Sequence, residues 1–265
     1  MSPDPDIRYS ASLPDRYLGV WRRRLLRTPH EEDRRSLVLW LQTPRWHADL
    51  RLPPSRPDFS GVDRLEACSD GQLAWLARQQ GFLGITEVEG DLCTWHHHVD
   101  IQPPHGRRDI GHMTFQGDRI VERGVDADYL EVWERLPHSL GPMAALKLER
   151  LNGKPPGRKT WLLVAGDFFM WVRERAQPLP AADDLASLIA RDRPPRAQRL
   201  AWLDLEISFG HRNGPCAWRI EHSSLPFREG QYVVAGALRR EGDLVEPEDG
   251  TQRWRILDCS PDFVP

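Results

Sequence analysis

One face of the segment from Asp128 to Leu136 carries side chains that could bind a ligand or move a proton. Successive side chains of an extended chain point to opposite sides, so this face holds Tyr129, Glu131, Trp133 and Arg135. His97, on another predicted strand, could form an acid–base pair with Glu131 if both lined a dry cavity, because burial shifts the pKa of each group. The candidate catalytic residues are therefore Glu131, His97 and Tyr129.

The same alternation on neighbouring predicted strands gathers aromatic and charged side chains around a barrel interior. Barrels that bind small molecules line this lumen with aromatic residues and a few polar groups. The predicted ligand-binding set is Trp21, Arg23, Trp40, Gln42, Arg51, Trp95, His97, Tyr129, Glu131, Trp133 and Arg135. An interior arginine beside a tyrosine suits a carboxylate or a similar anion, because the guanidinium group binds two oxygens at once. The alternative is that these arginines and glutamates form exposed cross-strand pairs beside packed tryptophans.

A run of three histidines, His96 to His98, raises the question of a metal site. Within one strand His96 and His98 face one way and His97 the other, so at most two of them share a side. The spacing fixes no third ligand, and the four cysteines include no C-x-x-C pair. We therefore predict no metal and no obligatory cofactor, and we interpret Cys93 and Cys216 as packed thiols. Nucleotide-binding, serine-hydrolase and zinc-protease motifs are missing from the sequence.

The elements that position these residues recur along the chain. Cys93 and Cys216 are 123 residues apart, and so are Trp95 and Trp218. Each half of the sequence predicts three strands, a short helix and then a meander of strands joined by tight turns. In the second half the helix is predicted over 182–191 and the next strand over 199–209.

The pattern predicts an all-β protein with an antiparallel meander that closes into one or two barrels. We expect a flexible arm at 1–15, a barrel at 16–137 and a second barrel-like half at 138–265, each half with one short helix. Two separate barrels and one continuous closed sheet both satisfy the pattern, since either hides the sheet edges.

Composition argues against several classes of partner. The 36 lysines and arginines nearly balance the 39 acidic residues, which leaves a net charge of −3 and a pI near 6.4. Such a chain has no overall field to attract nucleic acid or an anionic membrane. The sequence shows no signal peptide and no long apolar run, so we expect a cytoplasmic protein that does not enter the membrane. Oligomeric state is left open.

The tripeptide Gly19-Val20-Trp21, near the start of the first predicted strand, resembles the G-x-W mark of the calycin superfamily. That group includes the lipocalins, the fatty-acid-binding proteins and the nitrobindin-like haem barrels, and its duplicated form is similar to two-barrel lipocalin-like proteins. The resemblance covers the first half; no G-x-W opens the strand predicted at 143–151. It implies a structural role for Trp21 at one barrel end, carries over no catalytic residue, and makes His97 or His112 the candidates for a haem ligand.

Three functional hypotheses follow from these patterns. The favoured one is a protein that binds a small amphipathic or anionic ligand in the first barrel. The second is a lipocalin-like enzyme of the hydratase or isomerase type, which would use an acid–base pair in the lumen. The third is a protein-interaction module with an arginine-rich face or proline-rich loops.

Overall fold

The strands of the chain form two antiparallel sheets in a computed structural model that describes residues 13–152, 157–213, 218–233, 238–247 and 253–259. Each sheet has nine strands, and three short α-helices accompany them. The predicted all-β antiparallel fold is therefore confirmed. No helix within these described ranges is long and apolar enough to cross a membrane.

The first sheet closes on itself. Its strands, in chain order, are β1 (Gly19–Arg27), β2 (Glu32–Asp33), β3 (Leu37–Gln42), β4 (Trp46–Leu52), β5 (Gln80–Glu89), β6 (Leu92–Asp100), β7 (Asp109–Gln116), β8 (Arg119–Gly124) and β9 (Leu130–Arg135). Consecutive strands pair from β3 to β9, and β1 pairs with both β3 and β9. The two-residue strand β2 pairs with the end of β1, so the other eight strands make a closed barrel.

The second sheet follows the same order but curls as a half-barrel. Its strands are β10 (Met143–Arg150), β11 (Lys159–Ala165), β12 (Phe168–Arg173), β13 (Glu206–Arg212), β14 (Trp218–Ser223), β15 (Tyr232–Val233), β16 (Leu238–Glu241), β17 (Leu244–Pro247) and β18 (Trp254–Cys259). The last strand, β18, pairs with the first, β10, as β9 does with β1. Trp95 on β6 and Trp218 on β14 lie at corresponding strands of the two sheets, whereas Cys216 is outside the described residues.

Helices lie at equivalent places in the two halves. Helix α1 (Asp70–Leu76) stands between β4 and β5, and Ser69 and Gln72 form a capping box at its start. Helices α2 (Leu185–Asp192) and α3 (Arg196–Leu203) stand between β12 and β13. The prediction of one short helix in each half is therefore wrong for the second half, where a strand was predicted to begin at residue 199. That segment is helical because its apolar side chains, Leu200, Trp202 and Leu203, pack together against the core.

Three apolar cores hold the molecule together. One fills the first barrel, around Trp21, Trp40 and Trp133, and a second lies inside the curled sheet. The largest lies between the outer faces of the two sheets, where side chains of β3–β5 meet those of β11–β13 and of the helices. Strands β3 to β5 are thus largely buried on both faces, which accounts for the unbroken apolar run at 37–41.

Candidate functional site

A cavity of about 880 Å³ occupies one end of the first barrel. Aromatic side chains from four strands and from the turn before β9 make its walls: Trp40, Phe82, Trp95, Tyr129 and Trp133. Trp40 is the centre of this group, with its ring 5.7 Å from that of Trp95 and 6.0 Å from that of Trp133, both edge-on. Edge-on packing fixes the plane of each ring, and all three rings line the cavity. We call this cavity the lumen.

The structure brings together seven of the residues predicted to share a lumen: Arg23, Trp40, Arg51, Trp95, Tyr129, Glu131 and Trp133. The other four lie elsewhere in the barrel: Trp21, Gln42, His97 and Arg135. The alternative of exposed cross-strand pairs is wrong for Arg23 and Glu131, because their side chains are only 7% and 5% exposed.

Trp21 and Arg135 close the opposite end of the barrel. The Arg135 guanidinium lies 4.3 Å from the centre of the Trp21 ring, a distance typical of a cation–π contact. Arg135 also donates hydrogen bonds to the backbone carbonyls of Leu18 and Arg16, and the Trp21 indole N–H donates to the carbonyl of Tyr17 at 2.7 Å. These contacts fasten the segment that enters β1 across the barrel floor, so both residues are structural in this geometry.

Gln42 lies behind the cavity wall and orients Trp40. Its side-chain oxygen accepts hydrogen bonds from the indole N–H of Trp40 at 3.2 Å and from the hydroxyl of Thr86 at 2.7 Å. Nδ1 of the His47 imidazole lies 2.9 Å from the same hydroxyl. Burial holds the pKa of His47 well below the usual histidine value. These hydrogen bonds satisfy the buried indole of Trp40, the side-chain oxygen of Gln42 and the hydroxyl of Thr86, which would destabilise the barrel if they were unpaired.

Three ion pairs line the lumen. Arg23 donates to Glu131 at 2.6 Å and to Asp33 at 2.9 Å, and Arg51 donates to Asp49 at 2.7 Å. Burial raises the pKa of Glu131 and of Asp49, although the neighbouring arginines oppose the shift. Both arginines are therefore already engaged by carboxylates of the barrel itself.

Glu122 on β8 is a lumen residue that the sequence reasoning missed. Its Oε1 accepts a hydrogen bond from the Tyr129 hydroxyl at 2.7 Å, and its Oε2 accepts one from the Trp133 indole N–H at 2.9 Å. Burial, reinforced by the charge of Glu131, raises the pKa of Glu122 to about 8. The signal in the sequence was its position two residues after Ile120, which places both side chains on the inward face of β8.

His97 does not reach the lumen as a free base. Its Nδ1 lies 2.7 Å from Asp100 and its Nε2 lies 3.1 Å from Asp109, while its ring stacks on Phe82 at 3.8 Å. Burial would lower its pKa, but the two carboxylates more than offset this and raise it to about 9. Both ring nitrogens are thus committed as donors, and the predicted pairing of His97 with Glu131 as base and acid was wrong for this reason.

A β-bulge explains the different surroundings of the three histidines. The pairing of β6 with β5 shifts register next to Gly84, so the strict alternation assumed beyond Trp95 fails. Val99 therefore packs in the core between the sheets rather than in the barrel. His98 lies edge-on against Trp46 and Trp161, and His96 pairs with Glu87 at 2.8 Å.

The residue clusters considered for a metal or a nucleophile have other partners. In the described ranges, no group of three or more His, Cys, Asp or Glu side chains is arranged to hold a metal ion. The haem candidate His112 pairs with Asp91 at the surface, 3.2 Å away. The Cys93 thiol is buried in the barrel core, and burial raises its pKa well above the usual value. A neutral packed thiol of this kind is a poor nucleophile.

The geometry defines an all-β protein with one closed barrel, one curled sheet and a charged aromatic lumen. The sequence matches no known protein family and no curated protein. The structure is similar to the crystal structure of the uncharacterized protein YLR301w from Saccharomyces cerevisiae, with a TM-score of 0.52 and 10% sequence identity. The match covers 91% of this chain and 98% of the yeast chain. At this identity the likeness concerns the fold alone.

Proposed function

We propose that the protein binds a small amphipathic molecule in the lumen of its first barrel. The observation that carries this proposal is the cavity of about 880 Å³, walled by aromatic rings and containing buried ionisable groups. Cavities of this size suit one small organic molecule, with apolar walls for its body and a few polar groups to fix its orientation. A barrel kept only for its stability gains nothing from buried charges around an open space.

The Gly19-Val20-Trp21 resemblance supports the same proposal. In the structure this tripeptide opens β1, and Trp21 closes the floor of the barrel that contains the lumen. We retain the calycin-like relationship, the duplication of the two halves, the division at residues 137 and 138 and the cytoplasmic location as parts of the proposal.

The experiment is a fluorescence titration with N-phenyl-1-naphthylamine, a neutral amphipathic probe that brightens in apolar cavities. Ser36 lines the lumen beside the end of β2, so Ser36→Trp should fill part of the space and weaken the probe at least ~10-fold. Thr114→Trp is the matched control, because Thr114 is exposed on β7, away from the lumen. Saturable one-site binding that is lost only in Ser36→Trp supports the proposal. Absence of binding, or equal binding by both variants, contradicts it.

A second candidate function is proton transfer inside the lumen. It is favoured by Glu122, whose raised pKa of about 8 leaves a buried carboxylic acid protonated at neutral pH and hydrogen-bonded to Tyr129. A general acid of this kind would act in a hydratase or isomerase, with Glu122 in the role first predicted for Glu131 and His97. Any turnover found with a lumen ligand should be abolished by Glu122→Gln while binding of a neutral ligand persists.

A further inference from the structure

Most of the ionisable residues that face the lumen are acidic. The inner part presents the carboxyl groups of Asp49, Asp109, Glu122 and Glu131 against the guanidinium groups of Arg23 and Arg51. At the mouth, Glu31, Glu32 and Asp33 face Arg35 and Arg107. Asp49 and Glu131 pair with Arg51 and Arg23, and Asp109 pairs with the protonated His97. At the mouth Asp33 pairs with Arg23, and Glu32 pairs with Arg27 and Arg34. Glu122 is thus the inner carboxyl group whose ionisation would leave a negative charge without a cationic partner, and a low-dielectric barrel would strengthen the attraction of that charge for a cation.

The charge of each of the two inner arginines is already balanced by a carboxylate of the barrel. Arg23 is held between Asp33 and Glu131, with a side chain only 7% exposed. Arg51 is held by Asp49, and its guanidinium lies 5.2 Å from the centre of the Phe82 ring. A carboxylate ligand would have to compete with these partners and would also meet the nearby glutamates.

Glu122 differs from the other inner carboxylates. Asp49 and Glu131 each have an arginine partner, and Asp109 has His97. The two hydrogen bonds to Glu122 come from the neutral donors Tyr129 and Trp133, and no ion pair to it occurs within the described ranges. Its side chain is 3% exposed and lines the cavity. An ionised carboxylate can accept about four hydrogen bonds, so Glu122 retains capacity for a cationic ligand once it has released its own proton to solvent.

The aromatic walls complete the site. Trp133 donates its N–H to Glu122, and its ring stands edge-on to Trp40, which in turn contacts Trp95. Tryptophan faces attract cations because the ring carries negative charge above and below its plane, and the attraction is strongest where water is excluded.

We propose that the lumen selects a small organic cation, a protonated amine on a planar aromatic body, with its ammonium group against Glu122 and its rings among Trp40, Trp95 and Trp133. This inference rests on the proposed function and adds the chemical class of the ligand. It replaces the anionic ligand expected from the arginines in the sequence.

The test compares three molecules that share one ring system and differ in charge: 2-(1-naphthyl)ethylammonium, 2-(1-naphthyl)ethanol and 1-naphthylacetate. Displacement of N-phenyl-1-naphthylamine and isothermal titration calorimetry give each affinity at pH 8.5, above the raised pKa of Glu122, where both the carboxylate and the ammonium group carry their charges. We expect the ammonium compound to bind at least ~10-fold more tightly than the alcohol, and the carboxylate to bind most weakly.

Two variants locate the cation. Glu122→Gln keeps the shape of the side chain, because the amide oxygen can accept from Trp133 and the amide nitrogen can donate to Tyr129. It should weaken the ammonium compound ~10-fold and change the alcohol by less than about twofold. Glu134→Gln is the matched control, since Glu134 lies on β9 with a side chain 49% exposed and pairs with Arg24 outside the barrel. It should change neither affinity.

The outcomes separate the two proposals. Equal or tighter binding of the alcohol or the carboxylate, with the probe still displaced, overturns the cation while leaving a ligand in the lumen. Equal loss of ammonium binding in Glu122→Gln and Glu134→Gln also overturns it. If the neutral probe itself fails to bind, both proposals fall.

Discussion

Replacing Glu122 with glutamine should change how the stability of the protein depends on pH. The carboxyl group lies on β8 inside the barrel and is hydrogen-bonded by Tyr129 and Trp133. The charged groups that act on it from the surrounding strands are Glu131 on β9, Asp109 on β7 and Arg51 on β4; the neutral Cys93 thiol of β6 is a further titratable group that interacts with it. Burial, reinforced by Glu131, raises its pKa from 4.5 to about 8, and a glutamine at the same place cannot titrate.

The sign follows from proton uptake. Between pH 4.5 and 8 Glu122 is protonated in the folded chain and ionised in the unfolded chain, so the folded chain binds more protons. The free energy of unfolding contributed by this group is therefore greatest below pH 4.5 and falls as the pH rises toward 8. One pKa unit corresponds to about 1.4 kcal/mol, so the loss between pH 5 and pH 8 amounts to about 3 kcal/mol.

Urea unfolding of the wild type and of Glu122→Gln at pH 5, 6, 7 and 8 measures this effect. The glutamine variant should gain stability relative to the wild type by about 3 kcal/mol across the series. Glu134→Gln, which removes an exposed carboxylate from the same barrel, should stay within about 0.5 kcal/mol of a constant difference. A flat difference for Glu122→Gln, or a loss of stability relative to the wild type as the pH rises, would refute the argument that Glu122 is protonated in the folded protein.

Three further predictions concern the barrel frame. Arg135→Ala removes the guanidinium from the Trp21 ring and two hydrogen bonds to backbone carbonyls. It should therefore lower the free energy of unfolding by about 2–4 kcal/mol in urea titrations. An unchanged unfolding midpoint would contradict the role of Arg135 at the barrel floor. The imidazole of His97 should titrate with a midpoint near pH 9 in NMR spectra, and Asp109→Asn should lower that midpoint. A midpoint at the usual histidine value would mean that Asp100 and Asp109 do not stabilise the protonated ring. Gly84→Ala should prevent or strongly impair folding, because the added Cβ would collide with the His96 carbonyl oxygen. Gly71→Ala in α1 meets no atom within 4 Å and should stabilise the helix by about 0.5–1 kcal/mol. Equal stability of the two variants in thermal melts would contradict the bulge geometry.

Strand position and inward direction were predictable where alternation is regular. Arg23, Trp40, Arg51 and Trp133 all lie on the lumen side of short strands, and period-two spacing identifies that side without a structure. The closed barrel followed from tight turns between short strands. These features depend on local geometry, which the sequence encodes directly.

The errors arose where pairing between strands changes local geometry. The bulge beside Gly84 depends on two strands together, so His97 and Val99 could not be assigned from β6 alone. The depth of a residue along the barrel is a similar case. Gln42 and Arg135 have the inward direction that was predicted, but register across the sheet places them beside or below the cavity.

Glu122 was missed for a different reason. A glutamate flanked by arginines in Arg119–Gly124 has the composition of an exposed strand. Its place in the site depends on Tyr129, just before β9, and on Trp133, within β9, because both donate hydrogen bonds to its carboxyl group. Partners of this kind are set by the three-dimensional register between strands, and one sequence contains no direct record of them.

The shared core between the two sheets makes the stability of each sheet depend on the other. Side chains from β3 to β5 and from β11 to β13 exclude water jointly, so unfolding either sheet would expose the apolar face of the other. A ligand that binds in the first lumen would stabilise only the folded state of the barrel. Because the two sheets share a core, the same binding free energy would also oppose unfolding of the second sheet. Slower amide hydrogen exchange in β11 to β13, far from the lumen, is therefore a reporter of its occupancy.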